Sequence, residues 1–255
     1  MVNGLETFST YFKDFTDYYI LIGGAACDVQ ISAGGLNFRA TKDLDLILIV
    51  EALSPEFVKK FWEFVKQGNY ENRQKSQGER KYYRFLKPDD TDFPAQLELF
   101  ARKPDFLGVS EDSHLTPLPV DDDISSLSAI LMNDDYYKFT IDNSRKVNNL
   151  HLASVETLIC LKARAFLDLK KRKESGESIS EKEIRKHKND VIRLAAMLSG
   201  GAISEVPESI LTDMREFIQE IKHNQPDFGT IKDSLGLQTL DGDNLIIQIE
   251  QTFSL

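Results

Sequence analysis

The feature that most constrains this chain is an acidic alternation at the head of an apolar run, Asp43-Leu44-Asp45 opening DLDLILIV. Residues of that kind form a strand, and on a strand the side chains of i and i+2 leave on one side. Asp43 and Asp45 therefore project together while Leu44 and Leu46 enter the core. Two carboxylates on one face repel unless a cation lies between them. Upstream, YYILI at 18–22 reads as a buried strand that runs into Gly23-Gly24, and AACDVQISA continues as a helix up to Gly34-Gly35. Glycines without side chains let phosphates approach the backbone, and the first amides of the following helix attract anions.

A third acid, Glu98, lies in QLELF, again between apolar residues on a strand-like run. Pairing of the two strands as neighbours would bring it beside the aspartates. Three carboxylates make a hard oxygen site of the kind that suits magnesium, which prefers carboxylates, water and phosphate oxygens. One or two such ions serve phosphoryl and nucleotidyl transfer by activating the attacking oxygen and stabilising the leaving one. Taken singly, a Gly-Gly pair is a tight turn and an Asp-x-Asp a solvated acidic run. In this order, with a third acid on a later strand, they favour chemistry.

The rest of the chain supplies an α/β (α+β) frame with a mixed, largely antiparallel sheet and a helical C-terminal part. Ser54-Pro55-Glu56 starts a helix carrying Phe57, Phe61, Trp62, Phe64 and Val65. Residues 81–87 and 95–101 form two antiparallel strands, 103–125 crosses the surface, and LSAILMNDDYYKFTI makes a hairpin around Asn133-Asp134-Asp135. Helices follow at about 154–171, 181–199 and 207–223, the second opened by Ser180 and Glu183 as a capping box. This divides the chain into a catalytic domain at 1–150 and a helical domain at 151–255 that completes a cleft; such interfaces are common ligand sites.

Composition removes several alternatives. No run approaches the roughly 20 apolar residues of a membrane span and the N-terminus lacks a secretory pattern, so no membrane is expected as a partner and the location expected is the cytoplasm. Cys27 and Cys160 sit in helical segments, away from metal-ligand spacing, and His114, His151, His187 and His223 have none either. The net charge of −10 disfavours sequence-independent nucleic-acid binding. Against that, Lys170, Lys171, Arg172, Lys173, Lys182, Arg185, Lys186 and Lys188 cluster in one segment. They form either a patch for phosphates or the solvated tip of a helical hairpin.

Gly23-Gly24, then Asp43-Leu44-Asp45, then Glu98 resembles the signature of the polymerase-β-like nucleotidyltransferase superfamily. Within it, Arg39-Ala40-Thr41-Lys42-Asp43-Leu44-Asp45 is most similar to AbiEii-type nucleotidyltransferases, abortive-infection or toxin components of bacterial toxin-antitoxin pairs. The resemblance implies catalytic and metal-binding roles for Asp43, Asp45 and Glu98, with Mg2+ as cofactor. It implies nucleotide binding, of ATP or another nucleoside triphosphate, at Gly23 and Gly24, and an approach to the metal shaped by Arg39 and Thr41. The acceptor would be RNA, protein or a small molecule, and a cognate antitoxin would be a partner. Two rival readings use the same residues: an antibiotic-type small-molecule nucleotidyltransferase, and a silent nucleotide-binding regulator.

One further residue stands out from periodicity. In the helix at 154–171, Val155, Leu158, Ile159, Ala165, Phe166 and Leu169 form an apolar stripe, with Lys162 in its middle. An ammonium there snorkels outward, pairs with an acid, or faces a cleft and meets phosphate. Lys188-Asn189-Asp190 followed by Arg193 resembles a later Lys/Arg-x-Asp element of the AbiEii-like proteins. The resemblance makes Lys162 a triphosphate contact and Asp190 its orienting partner or a base. From its helical position alone, Asp190 lies near the edge of the core stripe, where an ordinary ion pair is equally expected.

Overall fold

The computed structural model describes residues 2–49, 54–77, 80–101, 116–117, 130 and 133–255. Apart from 116–117, the stretch 103–125 expected to cross the surface lies outside the described residues. The chain falls into two compact units that interleave along the sequence: Met1–Ala26, Ala40–Asp123 and Ser144–Ala153 in one, Cys27–Arg39, Ile124–Asn143 and Ser154–Leu255 in the other.

Among the described residues, the first unit holds an eight-stranded mixed sheet: β1 Tyr19–Ile22, β2 Asp43–Leu48, β3 Glu71–Gln77, β4 Arg80–Leu86, β5 Gln96–Ala101, β6 Thr116–Pro117, β7 Ser144–Val147 and β8 Leu150–Ala153. The order across the sheet is β6-β3-β4-β5-β2-β1-β8-β7. Parallel pairing joins β1 to β8, β2 to β5 and β3 to β6, and the other four neighbours run antiparallel. The strand that carries Glu98, β5, is the direct neighbour of β2.

Helices α1 (Leu5–Tyr11) and α3 (Pro55–Gln67) belong to this unit. Ser54 caps α3 by accepting a hydrogen bond from the Phe57 amide at 3.2 Å, with Pro55 in the first turn, as the sequence predicts. Its ring at Phe61 meets Phe85 of β4 at 5.4 Å, while Phe8 of α1 meets Tyr19 of β1 at 5.2 Å. Phe85 lies opposite Leu97, and Leu97 opposite Leu44, so the aromatic layer covers the leucine face of the sheet. Each such ring, wholly buried, contributes roughly 1.5–3 kcal/mol. The acids leave on the other face.

The β7–β8 hairpin turns on Asn148 and Asn149, both at positive φ (47° and 61°). Asparagine is among the few residues that tolerate this backbone, which matches the twist of a tight hairpin.

The second unit is helical. Most of α2 (Gly23–Ala33) lies in it, followed by α4 (Asp134–Asp142), α5 (Val155–Glu174), α6 (Glu181–Ala195), α7 (Glu208–His223), α8 (Phe228–Leu235) and α9 (Gly242–Phe253). Helix α5 packs on α6 and α7, Phe166 meeting Phe217 edge-on at 5.5 Å. Ser154 and Ser180 cap α5 and α6 at the predicted starts.

The hairpin expected around Asn133-Asp134-Asp135 is instead a helix start. Asn133 accepts from the amides of Asp135 (2.8 Å) and Tyr136 (3.4 Å), and α4 then buries Tyr136, Tyr137, Phe139 and Thr140.

Candidate active site

In the first unit, the parallel register of β2 and β5 sets Asp45 opposite Glu98 and Asp43 opposite Gln96. Because facing residues in register share a face, Asp43, Asp45 and Glu98 look out from the same side of the sheet. Asp45 is 8% exposed and Glu98 4%. Glu98 is anchored by two donors on one oxygen: Arg84 Nε at 2.9 Å and Gln96 Nε2 at 2.7 Å both reach Oε1. Arg84 comes from β4, where it stands opposite Glu98.

Gly23 ends β1 and opens α2 at φ +67°. A β-carbon there would lie 1.7 Å from Oδ2 of Asp45, so the missing side chain makes room for the strand's own carboxylate. Gly24, buried beside it, forms the first turn of the helix. Thr41 lies half-buried in the segment before β2.

Among the described residues no three His, Cys, Asp or Glu side chains gather into a ready-made metal cage. Magnesium seldom asks for one; one or two carboxylates, water and substrate phosphates complete its shell. Asp43 and Asp45 on one strand face, with Gly23 leaving room for the Asp45 carboxylate, fit that requirement.

In the second unit the out-of-place lysine has a partner. Lys162 is 2% exposed, and its Nζ stands 3.8 Å from Oδ2 of Asp190. Asp190, expected near the edge of its helix's core stripe, is wholly buried (0%), because two further cations join it. Arg39 reaches both of its oxygens, at 3.1 Å through Nε and 2.8 Å through Nη2, and Arg193 donates to Oδ1 at 3.2 Å. Burial pushes the Asp190 carboxyl up, but Lys162, Arg39 and Arg193 outweigh it and hold the group below its ordinary range. On the same helix, His187 sits three residues before Asp190, and its Nδ1 is buried without a hydrogen-bond partner. Burial, reinforced by Lys162, Lys186 and Arg39, drives its pKa well below the usual histidine value, so the ring is neutral.

Three of the eight basic residues stand in ion pairs. Lys170 bonds Glu220 at 2.5 Å, Arg172 bonds Glu177 at 2.6 Å, and Lys173 pairs with Glu181. Lys188 is buried and donates to the carbonyl of Asn224 at 3.0 Å, at the end of α7. These contacts favour the charged hairpin tip over a phosphate patch. Cys27 and Cys160 are buried thiols.

No protein-family model and no curated protein matches this chain. Among solved structures it is similar to the crystal structure of an antigenic nucleotidyltransferase-like protein from Paracoccidioides brasiliensis. The two share 17% identity at a TM-score of 0.45, over 91% of this chain and 93% of that one. At that distance the chemistry rests on the residues alone. Among the described residues no helix is long and apolar enough to cross a membrane.

Four residues at these clusters were not singled out by sequence: Arg84, Gln96, His187 and, as a partner of Asp190, Arg193. Gln96 carried a signal, since it lies two residues before Glu98 and so on the same strand face. Arg193 and His187 each lie three residues from Asp190, within helical reach. Arg84 had no signal apart from the strand pairing itself.

Proposed function

We propose that this chain is a metal-dependent nucleotidyltransferase of the polymerase-β-like kind, which joins a nucleotidyl group from a nucleoside triphosphate to an acceptor hydroxyl. The observation that carries this reading is the row formed by Asp45 and Glu98 in register, with Asp43 on the same face and the side-chain-free Gly23 against Asp45.

Asp43 and Asp45 would hold Mg2+, with Glu98 as the third acid. When bound, the ion supplies Lewis-acid stabilisation of the charge that develops on the transferring phosphate. The acceptor oxygen bonds to the α-phosphorus, the bond to the pyrophosphate oxygen breaks, the hydroxyl proton passes to a carboxylate, and pyrophosphate leaves. By the resemblance, Arg39 and Lys162 would be triphosphate contacts, and Gly24 would offer the first amides of a helix to phosphate. Asp190 fits the part of orienting partner better than that of base, since three cations stabilise its ionised form and weaken its pull on a proton. The likeness of Arg39 through Asp45 to AbiEii-type proteins supports a toxin role in a cell that also makes an antitoxin.

The test is transfer of label from α-labelled nucleoside triphosphates, with Mg2+, to total RNA, to protein and to small hydroxyl compounds. Labelling by the wild type that Asp45→Asn abolishes is the expected result. Equal labelling by both, or by neither with every acceptor class, overturns the reading.

A further inference from the structure

Glu98 is held by two donors at one of its oxygens. Its Oε1 takes two hydrogen bonds, from Arg84 at 2.9 Å and Gln96 at 2.7 Å, while no described residue bonds Oε2. Both donors belong to the same face: Arg84 stands opposite Glu98 on β4, and Gln96 precedes it by two on β5, opposite Asp43. A carboxylate at 4% exposure with both donors on one oxygen can turn only by giving up a charge-assisted bond.

We propose that Arg84 and Gln96 are positioning residues: they commit Oε1 of Glu98 to the protein and leave Oε2 as the single oxygen it offers to a divalent cation. The proposal rests on the nucleotidyltransferase reading and deepens it. Without the two donors, Glu98 is free to present both oxygens or to swing away from Asp45, and either motion loosens the shell that Asp43 and Asp45 begin. Groups that orient a metal's ligands from behind are worth roughly ten- to a hundredfold in metal affinity or activity. Gln96 is the cleaner of the two to test, because its replacement changes no charge. Arg84 neutralises a buried acid, and its loss threatens the fold.

The experiment measures Mn2+ binding by the paramagnetic resonance of free Mn2+, in the presence of a non-hydrolysable triphosphate analogue. It uses wild type, Gln96→Met, Glu98→Gln, the double variant, Arg84→Lys and Asp45→Asn, with thermal melting of each. Gln96→Met should weaken Mn2+ binding about tenfold with an unchanged melting temperature, and Arg84→Lys should weaken it less. The double variant should be no weaker than Glu98→Gln alone, since Gln96 acts only through Glu98. Additive losses, or wild-type binding by Gln96→Met, overturn the positioning role. If Asp45→Asn binds Mn2+ like the wild type, the parent reading fails as well; if it loses Mn2+ while Gln96→Met keeps it, only this inference fails.

Discussion

Gly23 and Asp45 are fitted to one another: a β-carbon on Gly23 would stand 1.7 Å from Oδ2 of Asp45, and the glycine holds φ +67° besides. Gly23→Ala therefore meets two obstacles, a clash with a buried carboxylate and a left-handed backbone that alanine avoids. Together they should cost about 2–6 kcal/mol in urea unfolding, overpacking and backbone strain each contributing about 1–3. Asp45→Ala combined with Gly23→Ala removes the clash and leaves the strain, so the pair should be more stable than Gly23→Ala alone. If the double variant is the less stable of the two, the clash is not what constrains position 23.

Asp190 and Lys162 should respond unequally to neutralisation. Asp190→Asn leaves Lys162 and Arg193 as buried cations without the carboxylate between them, a change of the class that costs about 3–5 kcal/mol. Lys162→Met keeps the stem's packing and leaves Asp190 with Arg39 and Arg193, so its effect should stay within about 1 kcal/mol. Denaturant midpoints decide, and equal losses would show that the lysine is as necessary to the cluster as the acid.

The same Lys162→Met protein tests the phosphate role. Removing a charge-assisted contact of about 1.5–3 kcal/mol should weaken triphosphate binding roughly ten- to a hundredfold, while a nucleoside without phosphates binds as before. Calorimetric titration of both ligands provides the comparison, and an unchanged triphosphate affinity removes Lys162 from nucleotide binding.

What the sequence disclosed follows from which forces are local. The period of two put Asp43 and Asp45 on one face without any knowledge of the sheet, and the period of 3.6 put Lys162 in a buried stripe. Neither period says what lies opposite. That Asp45 faces Glu98, and that Arg39 spans 151 residues to reach Asp190, are matters of tertiary pairing. The segment at Asn133 was misread for a different reason: Asn and Asp serve turns and helix caps alike, by the same side-chain bond to a backbone amide. What separated the two was burial of Tyr136, Tyr137 and Thr140 at helical spacing. The Asn148-Asn149 hairpin was missed because SRKV and LHLA are too short to show a period.

The helix start at Asn133 is itself testable. Its side chain accepts from the amides of both Asp135 and Tyr136, so Asn133→Ala should cost about 1 kcal/mol and Asn133→Ser much less. Equal losses in the two variants would remove the cap.

The last prediction concerns pH and His187. Its folded pKa lies well below the ordinary value because burial, with Lys162, Lys186 and Arg39 nearby, opposes a further positive charge, against which Asp190 only partly pulls. An unfolded histidine takes up its proton near pH 6.5. Below that pH the unfolded chain binds a proton that the folded chain refuses, so stability falls as pH drops through about 6.5 and goes on falling until the folded ring titrates. At pH 7 and above the contribution is fully present. The melting temperature should therefore decline between pH 7 and 5, and His187→Gln, which cannot titrate, should decline less over the same interval. His151, also lowered chiefly by burial, keeps part of the slope alive in that variant, and His151→Gln on the same background should flatten it further. If wild type and His187→Gln lose stability in parallel from pH 7 to 5, the buried ring is not the group that refuses the proton.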